Sequence, residues 1–148
     1  MYYLGIDPGA KGGFAIIDTD VNFPICLEPF NKQEFIVWMD FLKSRQEKTI
    51  CCLERVHAMP KQGSVSMFTF GENYGWLKGA LDMAEIPYQE IAPQTWKKEF
   101  NLNSDKARSV EVARQLFPNS KLIPAGCKKP SDGMAEALLM AEYARRKL

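Results

Sequence analysis

Four carboxylates in this chain of 148 residues stand where acidic side chains can do more than solvate a surface: Asp7, Glu54, Asp132 and Glu136. Asp7 closes the apolar run Tyr2-Tyr3-Leu4-Gly5-Ile6, and Glu54 closes Thr49-Ile50-Cys51-Cys52-Leu53. In sheet proteins with helical crossovers, functional groups collect at strand ends, where a rigid scaffold meets a loop. Asp132 and Glu136 stand four residues apart at the start of a helical pattern and so share one face. Glu136 lies among Ala135, Ala137, Leu138 and Leu139, a poor setting for a merely solvated glutamate. Four converging carboxylates repel one another, so the set makes sense chiefly with divalent cations between its members. Magnesium prefers such hard oxygen ligands, and a pair of ions can activate a water and stabilise the leaving oxygen in phosphodiester hydrolysis. Asp132 also has a structural reading, because an aspartate just inside a helix N-terminus is stabilising in itself. Glu90, at another strand end but without companions, reads as structural.

The elements that must position these acids follow from turn signals and periodicity. Asp7-Pro8-Gly9 forces a turn after the first strand, and Phe14–Asp18 and Phe23–Leu27 read as two more strands of an antiparallel meander. From Lys32 to Lys43, Phe35, Ile36, Trp38, Met39 and Leu42 recur with helical spacing. Thr49–Leu53 is uncharged and reads as a buried central strand. Residues 55–66 predict a loop, followed by a long helix with Met67, Phe70, Tyr74, Leu77 and Leu81 on one face. Gly71, Gly75 and Gly79 leave a flat stripe on that helix. The stripe could meet a second copy of the chain, with Phe70, Tyr74 and Trp76, or pack against the last helix. Tyr88–Ala92 is a further short strand, and Pro93 opens a segment holding Trp96, Lys97 and Lys98. Ser104 is the expected N-cap of a helix bearing Val110, Val112, Ala113, Leu116 and Phe117, which Pro118 ends. After a basic loop from Asn119 to Pro130, Ser131 caps a last helix over Asp132–Arg146. Phe68 and Trp96 are expected in the core. The order β-β-β-α-β-α-β-α-α predicts a mixed sheet with helices packed on it.

Hydrophobic residues at 46% and charged residues at 25% exclude a disordered or fibrous chain, and the length suits one domain, residues 1–148. The net charge of +1 does not by itself advertise a polyanionic partner. It conceals a split: residues 1–92 carry eight Lys/Arg and twelve Asp/Glu, residues 93–148 eleven and six. Acidic groups in one place and basic groups in another suit metal-dependent chemistry on a phosphate backbone. Cys26, Cys51, Cys52 and Cys127 lack paired CxxC spacing, which argues against structural zinc. With no basic leader before the first strand and no apolar run near the ~20 residues that span a bilayer, a soluble cytoplasmic protein with reduced thiols and no membrane partner is expected.

Three stretches then become recognisable together: Leu4-Gly5-Ile6-Asp7-Pro8-Gly9, Leu53-Glu54-Arg55-Val56, and Asp132-Gly133-Met134-Ala135-Glu136-Ala137-Leu138-Leu139-Met140-Ala141. In order and spacing they resemble the motifs of RuvC-like Holliday junction resolvases. The phage-type branch is nearest, since Met59-Pro60-Lys61-Gln62-Gly63 and Met67-Phe68-Thr69-Phe70-Gly71 are also similar to it. The first motif also opens sugar kinases and heat-shock ATPases; the set of three in one short chain is far more specific.

The resemblance implies an α/β RNase H-like fold, with a five-stranded mixed sheet and helices on both faces. It further implies a homodimer and paired nicking of opposed strands of a four-way DNA junction, in a bacterial or phage-infected cytoplasm. Asp7, Glu54, Asp132 and Glu136 correspond by position to the family's metal-binding acids, with two Mg2+ per site and Mn2+ able to substitute. Bacterial RuvC has aspartate where Glu136 stands and its other last-helix acid three residues earlier, so Asp132 departs from that pattern. His57 occupies the position of a phenylalanine that wedges into the junction. Lys97, Lys98 and Lys106 look similar to lysines beside the family's active site; a cation there stabilises charge developing on the scissile phosphate. Arg55, His57, Lys61, Lys128 and Lys129 are further candidates for DNA contact, with Arg145, Arg146 and Lys147 behind them. The residues themselves leave open a less selective nuclease for branched DNA or RNA–DNA hybrids and a junction-binding module without catalysis. An actin-like ATPase would need two nucleotide-clasping lobes, too much for this length.

Overall fold

The computed structural model describes residues 1–148. Its elements in chain order are β1 (Tyr2–Asp7), β2 (Gly13–Asp18), β3 (Phe23–Pro29), α1 (Lys32–Arg45), β4 (Thr49–Glu54), α2 (Ser64–Met83), β5 (Tyr88–Ile91), α3 (Pro93–Glu99), α4 (Lys106–Leu116) and α5 (Asp132–Lys147). The strands form one sheet in the order β3-β2-β1-β4-β5. The meander β1-β2-β3 is antiparallel, whereas β4 pairs parallel with both β1 and β5.

Period-two alternation divides the core between the two faces. Tyr2, Leu4, Ile6, Phe14, Ile16, Cys51 and Leu53 point to the side covered by α1 and α2. Ala15, Ile17 and Cys52 point to the other, covered by α3, α4 and α5. Helix α5 is the spine of that second layer, with every residue from Gly133 to Ala144 buried. It approaches the sheet closely because glycine faces it: a Cβ at Gly5 would run into the backbone of Ala137 and Ala141, and one at Gly133 into the carbonyl of Lys11. That approach brings the start of α5 to the strand ends.

Several local expectations need correction. Helix α2 begins at Ser64, three residues earlier than the apolar face suggested, so the preceding connection ends at Gly63. Residues Pro93–Glu99 form a helix, α3, with Pro93 in its first turn, where a missing N–H costs nothing. The N-cap of α4 is Asp105 rather than Ser104: its carboxylate accepts the Ala107 N–H at 3.0 Å, and Asn103 accepts the Asp105 N–H at 2.7 Å. Ser131 caps α5 as expected, accepting the Met134 N–H at 3.1 Å. Trp96 is fully buried, but Phe68 is 74% exposed. The buried residues of α2 are Tyr74, Leu77 and Leu81, so its N-terminal turns project from the core and leave Val65 as well as Phe68 uncovered.

The glycine stripe does not pack on α5, because α2 lies on the opposite face of the sheet. A Cβ at Gly71, Gly75 or Gly79 would meet nothing. Two of the three aromatics placed with the stripe serve the chain's own core instead: Tyr74 is buried, and Trp76 packs against Phe30 and Phe35 at centroid distances of 6.3 and 6.0 Å. No helix is long and apolar enough to cross a membrane, and all four cysteines are free thiols.

Candidate active site

The parallel register of β1 and β4 matches Ile6 with Leu53, so Asp7 and Glu54 leave adjacent strands side by side. Helix α5 crosses above β1 and supplies Asp132 at its first residue and Glu136 one turn later. Asp7 and Glu54 are half-buried, whereas Glu136 is only 5% exposed.

Each of three acids has a dedicated donor. The Trp96 indole donates to Glu54 Oε2 at 2.9 Å. Glu136 Oε1 accepts the Ser109 hydroxyl at 3.3 Å and pairs with Lys97 Nζ at 3.5 Å. Asp132 Oδ2 pairs with Lys106 Nζ at 2.9 Å. Asp7 has no such partner, and its carboxyl shows the consequence. Burial, then the charges of Glu54 and Glu136, push it up to about 8 against the opposing pull of Lys106. Burial also lifts Glu54, while the Trp96 hydrogen bond opposes the rise. Burial works to raise Asp132 too, but the Lys106 hydrogen bond and charge outweigh it and hold that carboxyl below its usual range. The same bond raises the Lys106 ammonium.

The four predicted acids thus share one electrostatic environment. As the side chains stand, no three of them are preassembled into a metal cage, and Lys97 and Lys106 occupy oxygens that an ion would take. The donor chemistry nonetheless fits a hard divalent cation: every oxygen donor is a carboxylate, and the repulsion lifting Asp7 is the kind an added positive charge removes.

Around this cluster the predicted basic residues fall into three groups. Arg55 and His57 line an open pocket with Glu54, Met59, Gln62 and Pro93; Lys61 is exposed nearby in the chain, at a left-handed φ of 68°. The Arg55 guanidinium donates to the Glu90 carbonyl at 3.0 Å, which fixes it to the end of β5. Lys97 and Lys98 line a second groove with Asn101, Asn103 and Ser104. Lys106 and Lys129 line a third with Arg114 and Asp132, and Lys128 is exposed next to it in sequence. Arg145, Arg146 and Lys147 do not join these groups: they are tied to Glu142 and Glu99 at the far end of α5. Glu90 is structural as expected, accepting the Tyr74 hydroxyl and pairing with Lys78 at 3.7 Å.

Trp96 and Ser109 are the site residues that periodicity did not single out. Trp96 was legible only as apolar bulk. Ser109 carried a usable signal, a lone hydroxyl in helical phase with Val112 and Ala113 on the buried stripe of α4.

An antiparallel three-strand meander, extended by two parallel strands and layered by helices on both faces, is the RNase H-like α/β fold anticipated from the sequence. Two solved structures share it along nearly their whole length. Thermus thermophilus RuvC in complex with Holliday junction substrate matches at a TM-score of 0.64 and 16% identity, covering 99% of this chain and 97% of that one. A second Thermus thermophilus RuvC structure matches at 0.58 and 18%, covering 99% and 96%. At such identities the likeness is one of fold. No family model and no curated protein matches the sequence.

Proposed function

We propose that this protein is a metal-dependent endonuclease that resolves four-way DNA junctions by nicking opposed strands. One observation carries the proposal: Asp7, Glu54, Asp132 and Glu136 lie within electrostatic reach of one another at the C-terminal ends of the interior strands β1 and β4, in a fold shared along nearly its whole length with a RuvC in complex with Holliday junction substrate. Asp7, Glu54, Asp132 and Glu136 would hold Mg2+, or Mn2+ in its place, as a pair of ions. Bound there, such ions supply Lewis acidity and a low-pKa water for phosphodiester hydrolysis. The chain's own residues do the rest. Asp7, which has no cation of its own, is the acid most in need of a metal. Lys97 and Lys106, now paired with Glu136 and Asp132, stand ready to face a phosphate once those acids are otherwise neutralised. Lys98, Lys128 and Lys129, with Arg55, His57 and Lys61, would hold the DNA backbone. Two opposed strands call for two equivalent sites, which a C2 homodimer supplies, and the open glycine face of α2 is available for it.

The test is a cleavage assay on a four-way junction with Mg2+, compared with a flap, a linear duplex and an RNA–DNA hybrid. Paired symmetric nicks in the junction alone are expected. Asp7→Asn should lower the rate by at least about a hundredfold while junction affinity stays within a few-fold of the parent. Equal cutting of all four substrates would replace junction selectivity with a general nuclease. Tight binding without cleavage in any divalent metal would leave a binding module.

A further inference from the structure

We propose that Trp96 is the positioning residue of the acid cluster, its indole N–H orienting Glu54 and its ring face seating the Lys97 ammonium that pairs with Glu136. The inference rests on the metal-binding role proposed above for those acids. A buried indole N–H must find an acceptor, and most would be served by any carbonyl oxygen. Here the acceptor is a carboxylate, Glu54 Oε2 at 2.9 Å. The donor cannot drift, because Trp96 is fully buried and is the one buried residue of the short helix α3. Glutamate at a strand end has three side-chain torsions to settle. A fixed donor on Oε2 settles them, favours the ionised carboxylate and leaves Oε1 as the free oxygen.

The ring takes part as well as the N–H. Lys97 Nζ lies 5.4 Å from the Trp96 ring centroid, within cation–π range, and 3.5 Å from Glu136 Oε1. One side chain therefore acts on acids delivered by two separate elements, β4 through its edge and α5 through the lysine on its face. Simple core filling would need neither interaction. Groups that orient metal ligands from behind typically cost about 10–100-fold in metal affinity when removed from other proteins.

Trp96→Phe keeps a ring face and most of the bulk while deleting the N–H. In the full-length protein, Mn2+ binding followed by the electron-spin-resonance signal of the free ion should show a half-saturation raised about tenfold or more. The melting temperature without metal should stay within a few degrees, and the junction KM at saturating Mn2+ should not change. Glu54→Gln is measured alongside. If Glu54→Gln weakens Mn2+ binding and Trp96→Phe does not, Trp96 only fills space and the inference is overturned while the metal-site proposal stands. If neither substitution affects Mn2+ binding, both fall together. Should Trp96→Phe not fold, the native protein still decides. On titration with Mg2+, the Trp96 indole N–H resonance should shift while those of Trp38 and Trp76, assigned by their own phenylalanine variants, stay in place. An unmoved Trp96 resonance at saturating Mg2+ would refute the inference.

Discussion

Asp7 is the one acid of the cluster with neither a hydrogen-bond donor nor an ion-pair partner of its own, and its titration should dominate the behaviour of the metal-free protein. Its carboxyl is raised from about 3.8 to about 8 by burial and by Glu54 and Glu136. For an acid raised on folding, the folded state prefers the protonated form. Stability is therefore greatest below the unfolded value and falls as pH climbs from about 4 towards 8. Without metal, Asp7→Asn should then melt above the parent at pH 8, by at least about 3 °C if the relief is worth about 1 kcal/mol. The gap should close near pH 4, and Mg2+ should raise the parent more than the variant. Thermal melts across that range check it; a variant that melts lower than the parent at pH 8 would show that Asp7 is not under repulsion.

At the scale of elements, the decisive packing is that of α5 on β1. Gly5→Ala would drive a methyl into the backbone of Ala137 and Ala141, which no rotamer change relieves. A loss of about 3 kcal/mol or more is expected, read from the urea midpoint, and an unchanged midpoint would mean that α5 sits farther from the sheet. Much of this architecture was legible. Strand ends, the cap at Ser131 and the burial of Glu136 follow from apolar runs and turn residues that act locally. The parts that were not legible depend on neighbours. Seven residues are too few for α3 to show helical periodicity, and adjacent Ser104 and Asp105 offer equally good caps on paper. Phe68 looks like core until the sheet turns out not to extend beneath it. The role of Trp96 as a hydrogen-bond donor needed Glu54, 42 residues away in sequence, to be placed beside it.

For the whole molecule, the near-zero net charge conceals a segregated surface. The four acids share one electrostatic environment with Lys97 and Lys106, and further lysines of α3 and the loop before α5 line the grooves in which those two stand. If Lys128 and Lys129 each bind a DNA phosphate, replacing both with alanine should weaken junction binding without regard to sequence. The slope of log affinity against log salt should then fall by about two, one for each phosphate no longer neutralised. Fluorescence anisotropy at several salt concentrations measures this, and an unaltered slope would remove that loop from the DNA path.

The burial of α5 also bears on when in its life the protein can act. Residues 133–144 complete the second core layer, and Asp132 and Glu136 ride on the same helix. A nascent chain whose synthesis has not yet reached α5 thus lacks both a finished fold and two of the cluster's four acids. Fragments cut before Asp132 cannot assemble the cluster, which exists only once α5 has docked on the sheet.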